Sequence, residues 1–292
     1  MDKTLTPASR ALWWGVLCIG QALKAGRLEK RMRFLAWLGC LFLVPTLANP
    51  GRAQQPVARD VPVLVYHRFA EHAVDTMTVR TETMRAHLRF LEDNGYRIVP
   101  LADVLAWRAG GPDNLPPRAV VLSVDDGHRS VYEVLWPMLA SRPVHVTLFI
   151  YPSAISNASY AMTWDQLRAL KRTGWFDIES HSYWHPNFRI ERARLAPDGF
   201  RHFAHDQLRR SRERIEAEVG APVTLLAWPF GIHDAELEAI ATQEGYVSAF
   251  TIEAGAVTRR QPAMALPRYL ITDQCDVHCL SRLLAATGKQ HD

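Results

Sequence analysis

The feature that most constrains this chain is an apolar run that ends in two adjacent carboxylates. Ala119-Val120-Val121-Leu122 leads into Ser123-Val124-Asp125-Asp126-Gly127, and residues 131–139 then show the apolar spacing of a helix. Neighbouring side chains on a strand point to opposite faces, so both acids can serve one site only if the backbone bends, as Gly127 permits. In barrels of such βα units the functional groups lie where strands end. The alternative is a helix N-cap with a solvated acid beside it.

The order of strand and helix recurs along the chain. Further strands are predicted at 61–66, 96–99, 144–150, 176–179, 223–228 and 247–251, and further helices at 83–94, 101–109, 163–170 and 235–243. Repeated βα units of this length predict an α/β fold, a distorted (β/α)7-type barrel in a single domain. Residues 195–220 should form a long charged helix, and we interpret its His202 and His205 as solvated because Arg and Glu surround them.

The first 53 residues resemble a targeting segment. Basic residues at 31 and 33 precede an apolar run at 34–44 that is too short for a typical membrane span. We expect a signal segment at 1–53, cleaved near Ala53, then a linker at 54–60, a folded domain at 61–285 and a tail at 286–292. Translation could start at Met32. The protein would then be exported to the periplasm or secreted, without a stable membrane span, or membrane-associated if the segment stays uncleaved.

The net charge of the chain indicates which kinds of partner it can be expected to bind. The whole chain carries 34 Lys/Arg and 30 Asp/Glu, a net +4, but eight of the basic and two of the acidic residues lie in the first 53. The remaining 26 basic and 28 acidic residues give a net −2. Because nucleic-acid binders need a basic surface, a nucleic-acid partner is not expected.

Histidines follow two of the predicted strands. His67 comes directly after the first strand, and His181 and His185 stand four apart after another. Histidine is the commonest side-chain metal ligand, and Asp126 can supply the carboxylate that completes a set of three. Asp125 would then be free to take a proton from water, and His67 is a candidate to give one to the leaving group. The alternative for His67 is a core histidine bonded to the backbone.

Cys275 and Cys279 are the only cysteines beyond the signal segment. A zinc site is disfavoured because no second pair of cysteines completes it. An exported protein could oxidise the two thiols, although residues four apart in a helix have poor geometry for a disulfide. Whether they are bonded stays open.

Together these motifs closely resemble the polysaccharide deacetylases of carbohydrate esterase family 4, the group with the NodB homology domain. Residues 123–127 are similar to its Thr-Phe-Asp-Asp-Gly motif, and residues 181–185 match its His-Ser-x-x-His motif. Residues 228–231, Trp-Pro-Phe-Gly, resemble the Pro-Tyr-Gly wall of its substrate groove. The resemblance spans roughly 61–271, and three motifs in order are far more specific than one.

Two departures point to one branch of the family. Ala227 stands where the third motif opens with an arginine, and no C-terminal Leu-x-His is present. Both departures are shared by the circularly permuted branch, which resembles deacetylases of biofilm poly-N-acetylglucosamine. In that branch the acid comes from a Tyr-His pair on the first strand, here Tyr66-His67. Arg268 could replace the missing arginine beside Asp125.

The resemblance implies a metal-dependent hydrolase that removes N-acetyl groups from an extracellular or cell-envelope polysaccharide. It assigns Asp125 as base, His67 as acid and Arg268 as the group that steadies the base; Asp126, His181 and His185 as metal ligands; and Trp228, Pro229, Phe230, Gly231, Tyr183 and Trp184 to the substrate groove. At least two of the four aromatic residues should pack in the core instead. The metal should be divalent, zinc first, with cobalt, nickel or iron as alternatives. An O-acetyl esterase, another amide hydrolase or a silent glycan-binding module are the alternative functions, and the oligomeric state stays open.

Overall fold

The computed structural model describes residues 59–287, so the expected signal segment, most of the linker and the end of the tail lie outside the described residues. In chain order the strands are β1 (Val61–Tyr66), β2 (Arg68–Ala70), β3 (Thr78–Arg80), β4 (Arg97–Ile98), β5 (Ala119–Asp125), β6 (Val146–Ile150), β7 (Phe176–Ser180), β8 (Leu225–Ala227), β9 (Ser248–Phe250), β10 (Ala256–Val257) and β11 (Tyr269–Leu270). The helices are α1 (Thr81–Asp93), α2 (Leu101–Arg108), α3 (Trp136–Leu139), α4 (Trp164–Arg172), α5 (Phe188–Arg194), α6 (Pro197–Val219), α7 (Ala235–Gln243) and α8 (Val277–Ala286).

The strands form a curled, mainly parallel sheet. Its path runs β1-β5-β6-β7-β8-β9, with every neighbouring pair parallel. A short segment joins the two ends, because Leu266 bridges to Phe250 of β9 and Tyr269 of β11 lies opposite Leu64 of β1. With that segment the ring has seven strand positions. The predicted distorted (β/α)7-type barrel is confirmed.

Side chains alternate between the two faces of each strand, so one set packs in an outer core under the helices and the other packs in an inner core inside the barrel. On β5, Leu122 packs outward among residues from the helices, whereas Val121 belongs to the inner cluster. The strand residues of the inner cluster are Val61, Val63, Ala119, Val121, Phe149, Leu225, Ala227, Phe250 and Val257. Ser123 and Asp125 share the face of Val121, so both point into the barrel. Asp125 lies at the carboxyl end of its strand, which is the mouth of the barrel.

The other end of the barrel is closed by α2. Leu101, Val104 and Trp107 of this helix join the inner cluster together with Val61, the first residue of β1. Burying these side chains stabilises the barrel at roughly 25 cal/mol for every Å² of apolar surface removed from water. The closed apolar floor leaves the mouth as the end where polar side chains gather.

Several predicted elements differ in detail from those observed. The helix predicted at 131–139 begins as a π-helix, Val131–Leu135, and becomes α-helical only at Trp136. Pro137 lacks the N–H that an α-helix would donate to the carbonyl of residue 133, which favours this wider first turn. The short strands β2, β3 and β10 and the helix α5 were not predicted.

The two cysteines form a disulfide, contrary to the poor geometry expected. Cys275 lies in the turn before α8, and Cys279 lies in the first turn of that helix. The expectation assumed that both residues belong to one helix. Asp276 is instead the N-cap, accepting a hydrogen bond from the Cys279 N–H, and its extended backbone lets the Cα atoms approach to 5.1 Å.

Within residues 59–287 no helix has both the length and the apolar character required to cross a bilayer.

Candidate active site

The two aspartates reach one site because the chain bends sharply after β5. Asp126 adopts a left-handed backbone with φ 75°, and Gly127 follows with φ 70°. This conformation breaks the alternation of the strand, so the Nε2 atom of His181 lies 3.8 Å from Oδ2 of Asp125 and 3.8 Å from Oδ1 of Asp126. A Cβ at Gly127 would lie 2.9 Å from Cδ1 of Ile155, so a larger residue would clash there.

Asp125 is held by an arginine. It is 1% exposed, and its two oxygens accept hydrogen bonds of 2.8 and 2.7 Å from the two terminal nitrogens of Arg268, which is 0% exposed. Burial acts to raise the pKa of Asp125, but the Arg268 guanidinium outweighs it and, with His181, lowers the pKa to about 2. Arg268 is fixed in turn by donating to the carbonyl of Thr251. Asp125 is therefore a carboxylate with a set orientation at neutral pH.

Three side chains beside Asp125 converge on one point. Single ligand atoms of Asp126, His181 and His185 lie within 4.8 Å of one another. Nδ1 of His181 donates to the carbonyl of Ala227 over 2.7 Å, which leaves its Nε2 as a free acceptor facing Asp126. Burial, together with His181, lowers the pKa of His185 to about 4, so this ring is neutral near pH 7.

This cluster fits a divalent cation. Oδ1 of Asp126 lies 3.8 Å from Nε2 of both histidines. Two ligand atoms that each lie about 2.1 Å from one tetrahedral ion are roughly 3.4 Å apart. The side chains would therefore need to move by only a few tenths of an ångström to bind such an ion. The donor set of two imidazoles and one carboxylate suits zinc and leaves positions open for water and substrate. Asp126 and His185 (φ 62°) adopt left-handed backbones, a costly conformation that persists where surrounding contacts impose it.

His67 lies at the end of β1, on the rim of the same cavity. The cavity has a volume of about 330 Å³ and brings together His67, Asp125, Asp126, His181 and His185. Nδ1 of His67 is buried and has no hydrogen-bond partner among the described residues. Burial lowers the pKa of His67, and the charges of Asp125 and Asp126 oppose this shift. It is therefore not a core histidine satisfied by backbone.

A comparison with protein families finds a match for the middle of the chain. The profile of the polysaccharide deacetylase family matches residues 113–249, which include the Asp125 turn and the two histidines that follow β7. The matched stretch is a little less than half of the chain, and over it the chain is similar to the polysaccharide deacetylases.

Individual relatives of the chain carry a more specific name than the family profile does. A poly-β-1,6-N-acetyl-D-glucosamine N-deacetylase of Escherichia coli K12 is 27% identical over 273 residues, covering 80% of this chain. This chain spans only 40% of the length of that protein. A protein of the same name from Staphylococcus aureus MRSA252 is 20% identical over 223 residues, covering 75% of this chain and 76% of the relative.

A solved structure shares the fold. The structure of IcaB from Ammonifex degensii superposes with a TM-score of 0.68 at 22% identity. The match covers 78% of this chain and 97% of the IcaB chain.

The residues expected to form a substrate groove lie in different environments. Phe230 is 55% exposed at the cavity edge, with its ring 4.5 Å from that of His185. Trp228 is 0% exposed, lines the cavity wall and donates to the carbonyl of Met264. Trp184 is exposed at a neighbouring cavity. Tyr183 lies under the guanidinium of Arg210 at 4.1 Å and lines neither cavity.

Pro229 and Gly231 act through the backbone around Phe230. Pro229 is buried, and Gly231 has φ 67°. A Cβ at Gly231 would lie 2.7 Å from Cγ1 of Ile252, so glycine lets this turn pack closely against the wall. Phe230 itself has φ 56°, and this turn directs its ring outward.

Sequence reasoning missed five lining residues, namely Arg68, Met77, Tyr151, Ile252 and Leu270. Tyr151 follows β6 directly, so the strand-end reasoning that selected His67 and His181 would also have selected it. Arg68 lies next to His67, and one of its nitrogens is 3.9 Å from Oδ2 of Asp126. Met77 sits on the segment between β2 and β3, and no sequence pattern indicated its position.

Proposed function

We propose that this chain is a metal-dependent hydrolase that removes N-acetyl groups from poly-N-acetylglucosamine outside the cytoplasm. The observation that carries the proposal is the cluster of Asp126, His181 and His185 beside Asp125, a buried carboxylate fixed by Arg268. The names of the E. coli and S. aureus relatives support the substrate class. We keep the deacetylase domain at 61–285, behind a signal segment at 1–53, and infer that the protein is periplasmic or secreted.

Asp126, His181 and His185 would hold the metal, with zinc first and cobalt, nickel or iron as alternatives. When bound there, the cation would act as a Lewis acid toward water and the acetamide carbonyl. The Nδ1 bond of His181 to the Ala227 carbonyl keeps that ring oriented with Nε2 toward Asp126. Oδ1 of Asp126 faces both histidines.

Asp125 would take the proton from the attacking water. Its pKa of about 2 keeps it ionised at neutral pH, and Arg268 prevents it from turning away from the cavity. Each carboxylate oxygen can accept more than one hydrogen bond, so pairing with Arg268 does not prevent Asp125 from binding water.

His67 would give a proton to the departing amine. It lies on the rim of the same cavity as Asp125, and its Nδ1 has no other partner among residues 59–287. The two aspartates favour its protonated form and so oppose the effect of burial. Trp228, Phe230 and the turn around Gly231 would form one wall of the substrate groove, and Trp184 would add a face beyond His185. For Tyr183 we keep only a packing role.

The test is acetate release by the purified full-length chain. We expect release from a β-1,6-linked N-acetylglucosamine oligomer, its loss on dialysis against EDTA, and its return when zinc is added. Asp125→Asn should abolish release while the bound metal remains. Release only from O-acetylated sugars would instead identify an esterase, and metal binding without any acetate release would identify a silent glycan-binding module.

A further inference from the structure

His67 lies at a corner of the chain. It is the single residue between β1, which ends at Tyr66, and β2, which begins at Arg68. Its Nδ1 is buried and has no hydrogen-bond partner among residues 59–287, so no such bond holds the ring from that side. The direction of the ring therefore depends on packing and on how the backbone at the corner is held.

The backbone is anchored on both sides of this corner. After it, the N–H of Phe69 donates to Oγ of Ser130 over 3.0 Å. Before it, Tyr66 packs in the outer core, 1% exposed, and its hydroxyl lies 3.1 Å from Nδ1 of His87 in α1. Neighbouring side chains of an extended chain point to opposite faces, so holding Tyr66 outward directs His67 toward the cavity.

His87 joins Tyr66 to a third part of the chain. It is 0% exposed, and its Nε2 lies 2.8 Å from the carbonyl oxygen of Cys275. A carbonyl can only accept a hydrogen bond, so Nε2 carries the proton. Burial lowers the pKa of His87, so the ring is neutral near pH 7 and its Nδ1 accepts from the Tyr66 hydroxyl. Both ring nitrogens of His87 thus have a partner.

The acceptor for His87 lies in a braced turn. The disulfide to Cys279 closes this turn, and the N–H of Cys275 donates to the carbonyl of Thr272. The carboxylate of Asp273 accepts hydrogen bonds from the backbone N–H and the side chain of Arg80, the N-cap residue of α1. The turn and α1 are therefore tied together, and the Cys275 carbonyl keeps a fixed position relative to His87.

We propose that His87 is a positioning residue that fixes the proton donor His67 through the Tyr66 hydroxyl. This inference rests on the proposed function, which takes His67 as the acid. Neither His87 nor Tyr66 lines the cavity, so both act on the reaction only through the backbone of the corner. A catalytic group misplaced by about 1 Å can cost up to about 10²-fold in rate.

A double-mutant cycle tests the proposal. Tyr66→Phe keeps the ring and removes the hydroxyl, whereas His87→Leu removes both nitrogens; His87→Phe replaces the latter if it does not fold. Each single variant should lower kcat for acetate release from a β-1,6-linked N-acetylglucosamine oligomer by roughly tenfold, with KM and metal content unchanged. The double variant should lose no more than either single one, because both changes break the same chain of contacts.

A second substrate distinguishes positioning from general damage to the fold. The leaving group of 4-nitrophenyl acetate needs no proton, so Tyr66→Phe and His87→Leu should hydrolyse it at close to the wild-type rate. The matched control is His145→Leu, at a half-buried histidine that packs against Trp175 just before β6, at the opposite end of the barrel from His67. This control should leave both activities unchanged. Unaltered acetate release in Tyr66→Phe, losses that multiply in the double variant, or equal losses on the two substrates would overturn the proposal.

A crystal structure of Tyr66→Phe separates this proposal from the proposed function. The ring of His67 should be displaced from its wild-type position by more than about 0.5 Å, the tolerance of a productive catalytic geometry, while His181 and His185 stay in place. Displacement of His67 in a protein whose wild type releases no acetate would support the positioning role and refute the deacetylase. A His67 ring that superposes on the wild type in both single variants would refute the positioning role, even where the wild type releases acetate.

Discussion

Inside the barrel, the guanidinium of Arg268 donates two parallel hydrogen bonds, of 2.8 and 2.7 Å, to the carboxylate of Asp125. The two residues are 143 positions apart in the chain. Neither side chain is exposed by more than 1%. A pair this deeply buried is costly to break, because the remaining charge has no solvent to replace its partner. Arg268 therefore contributes both to the stability of the barrel and to the ionisation of Asp125.

Arg268→Met should lower the free energy of unfolding at pH 7 by about 3–5 kcal/mol, as for other buried pairs that lose one partner. The pKa of Asp125 lies below its ordinary value of 3.8, so the pair stabilises the protein above pH 3.8 and this stabilisation fades as pH falls toward about 2. Urea unfolding at pH 7, 5 and 3 should show a difference between wild type and variant that shrinks in acid. Arg189→Met, at an exposed position on α5, is the control. Equal stability of Arg268→Met and wild type at pH 7 would contradict this account.

His181→Ala should reduce bound metal well below one ion per chain, because it removes the most buried of the three proposed ligands. Atomic absorption after loading with zinc and desalting measures the stoichiometry directly. His202→Ala, on the exposed face of α6, should bind as much metal as the wild type. Full metal content in His181→Ala would remove this residue from the ligand set.

His67→Ala should keep its metal and lose roughly 10²–10⁴ in kcat on an N-acetyl sugar, the usual effect of a missing general acid. An amine needs a proton to depart, whereas nitrophenolate does not. The loss should therefore be much smaller for 4-nitrophenyl acetate assayed on the same preparation. Similar losses on both substrates would indicate that His67 supports the structure and does not supply the proton.

Glu179→Gln should change how stability depends on pH. Burial raises the pKa of Glu179 to about 8, against the opposing effect of hydrogen bonds that its Oε2 accepts from the N–H groups of Leu225 and Thr224. The folded protein therefore holds a proton that the unfolded chain releases above its ordinary pKa of 4.5. Between about 4.5 and 8 the wild type should lose up to about 1.4 kcal/mol of stability per pH unit through this group.

The glutamine variant isolates that effect, because it can accept the same two hydrogen bonds without a charge. The difference in unfolding free energy between Glu179→Gln and wild type should grow from pH 5 to pH 8. Asp165→Asn, at an exposed acid on α4, should show no such trend. Parallel curves for wild type and Glu179→Gln would mean that Glu179 is ionised in the folded protein.

The sequence was most informative for the site residues that come directly after a predicted strand. Strand length and apolar alternation located the ends of β1, β5 and β7, and therefore the positions of His67, Asp125 and His181. Parallel strands end on one side of a sheet, which is why three residues distant in sequence meet there.

Other features depend on contacts that no local pattern encodes. The closure of the barrel rests on a bridge from Leu266 to Phe250, and the sequence does not indicate that these two residues pair. The exposure of Phe230 follows from its left-handed backbone, whereas its neighbour Trp228 is buried. Arg268 was identified only through resemblance to a family, because nothing in its neighbours in sequence indicates that Asp125 is its partner.

Arg268 lies on the segment that closes the barrel, and this position determines when it can pair with Asp125. β11 follows β5 by well over a hundred residues and docks beside β1, so Arg268 reaches Asp125 only when this long-range pairing is in place. Until then the carboxylate lacks the partner that sets its pKa and direction. Closure of the barrel and orientation of the Asp125 carboxylate therefore depend on the same segment, so a chain in which this segment has not docked would lack both.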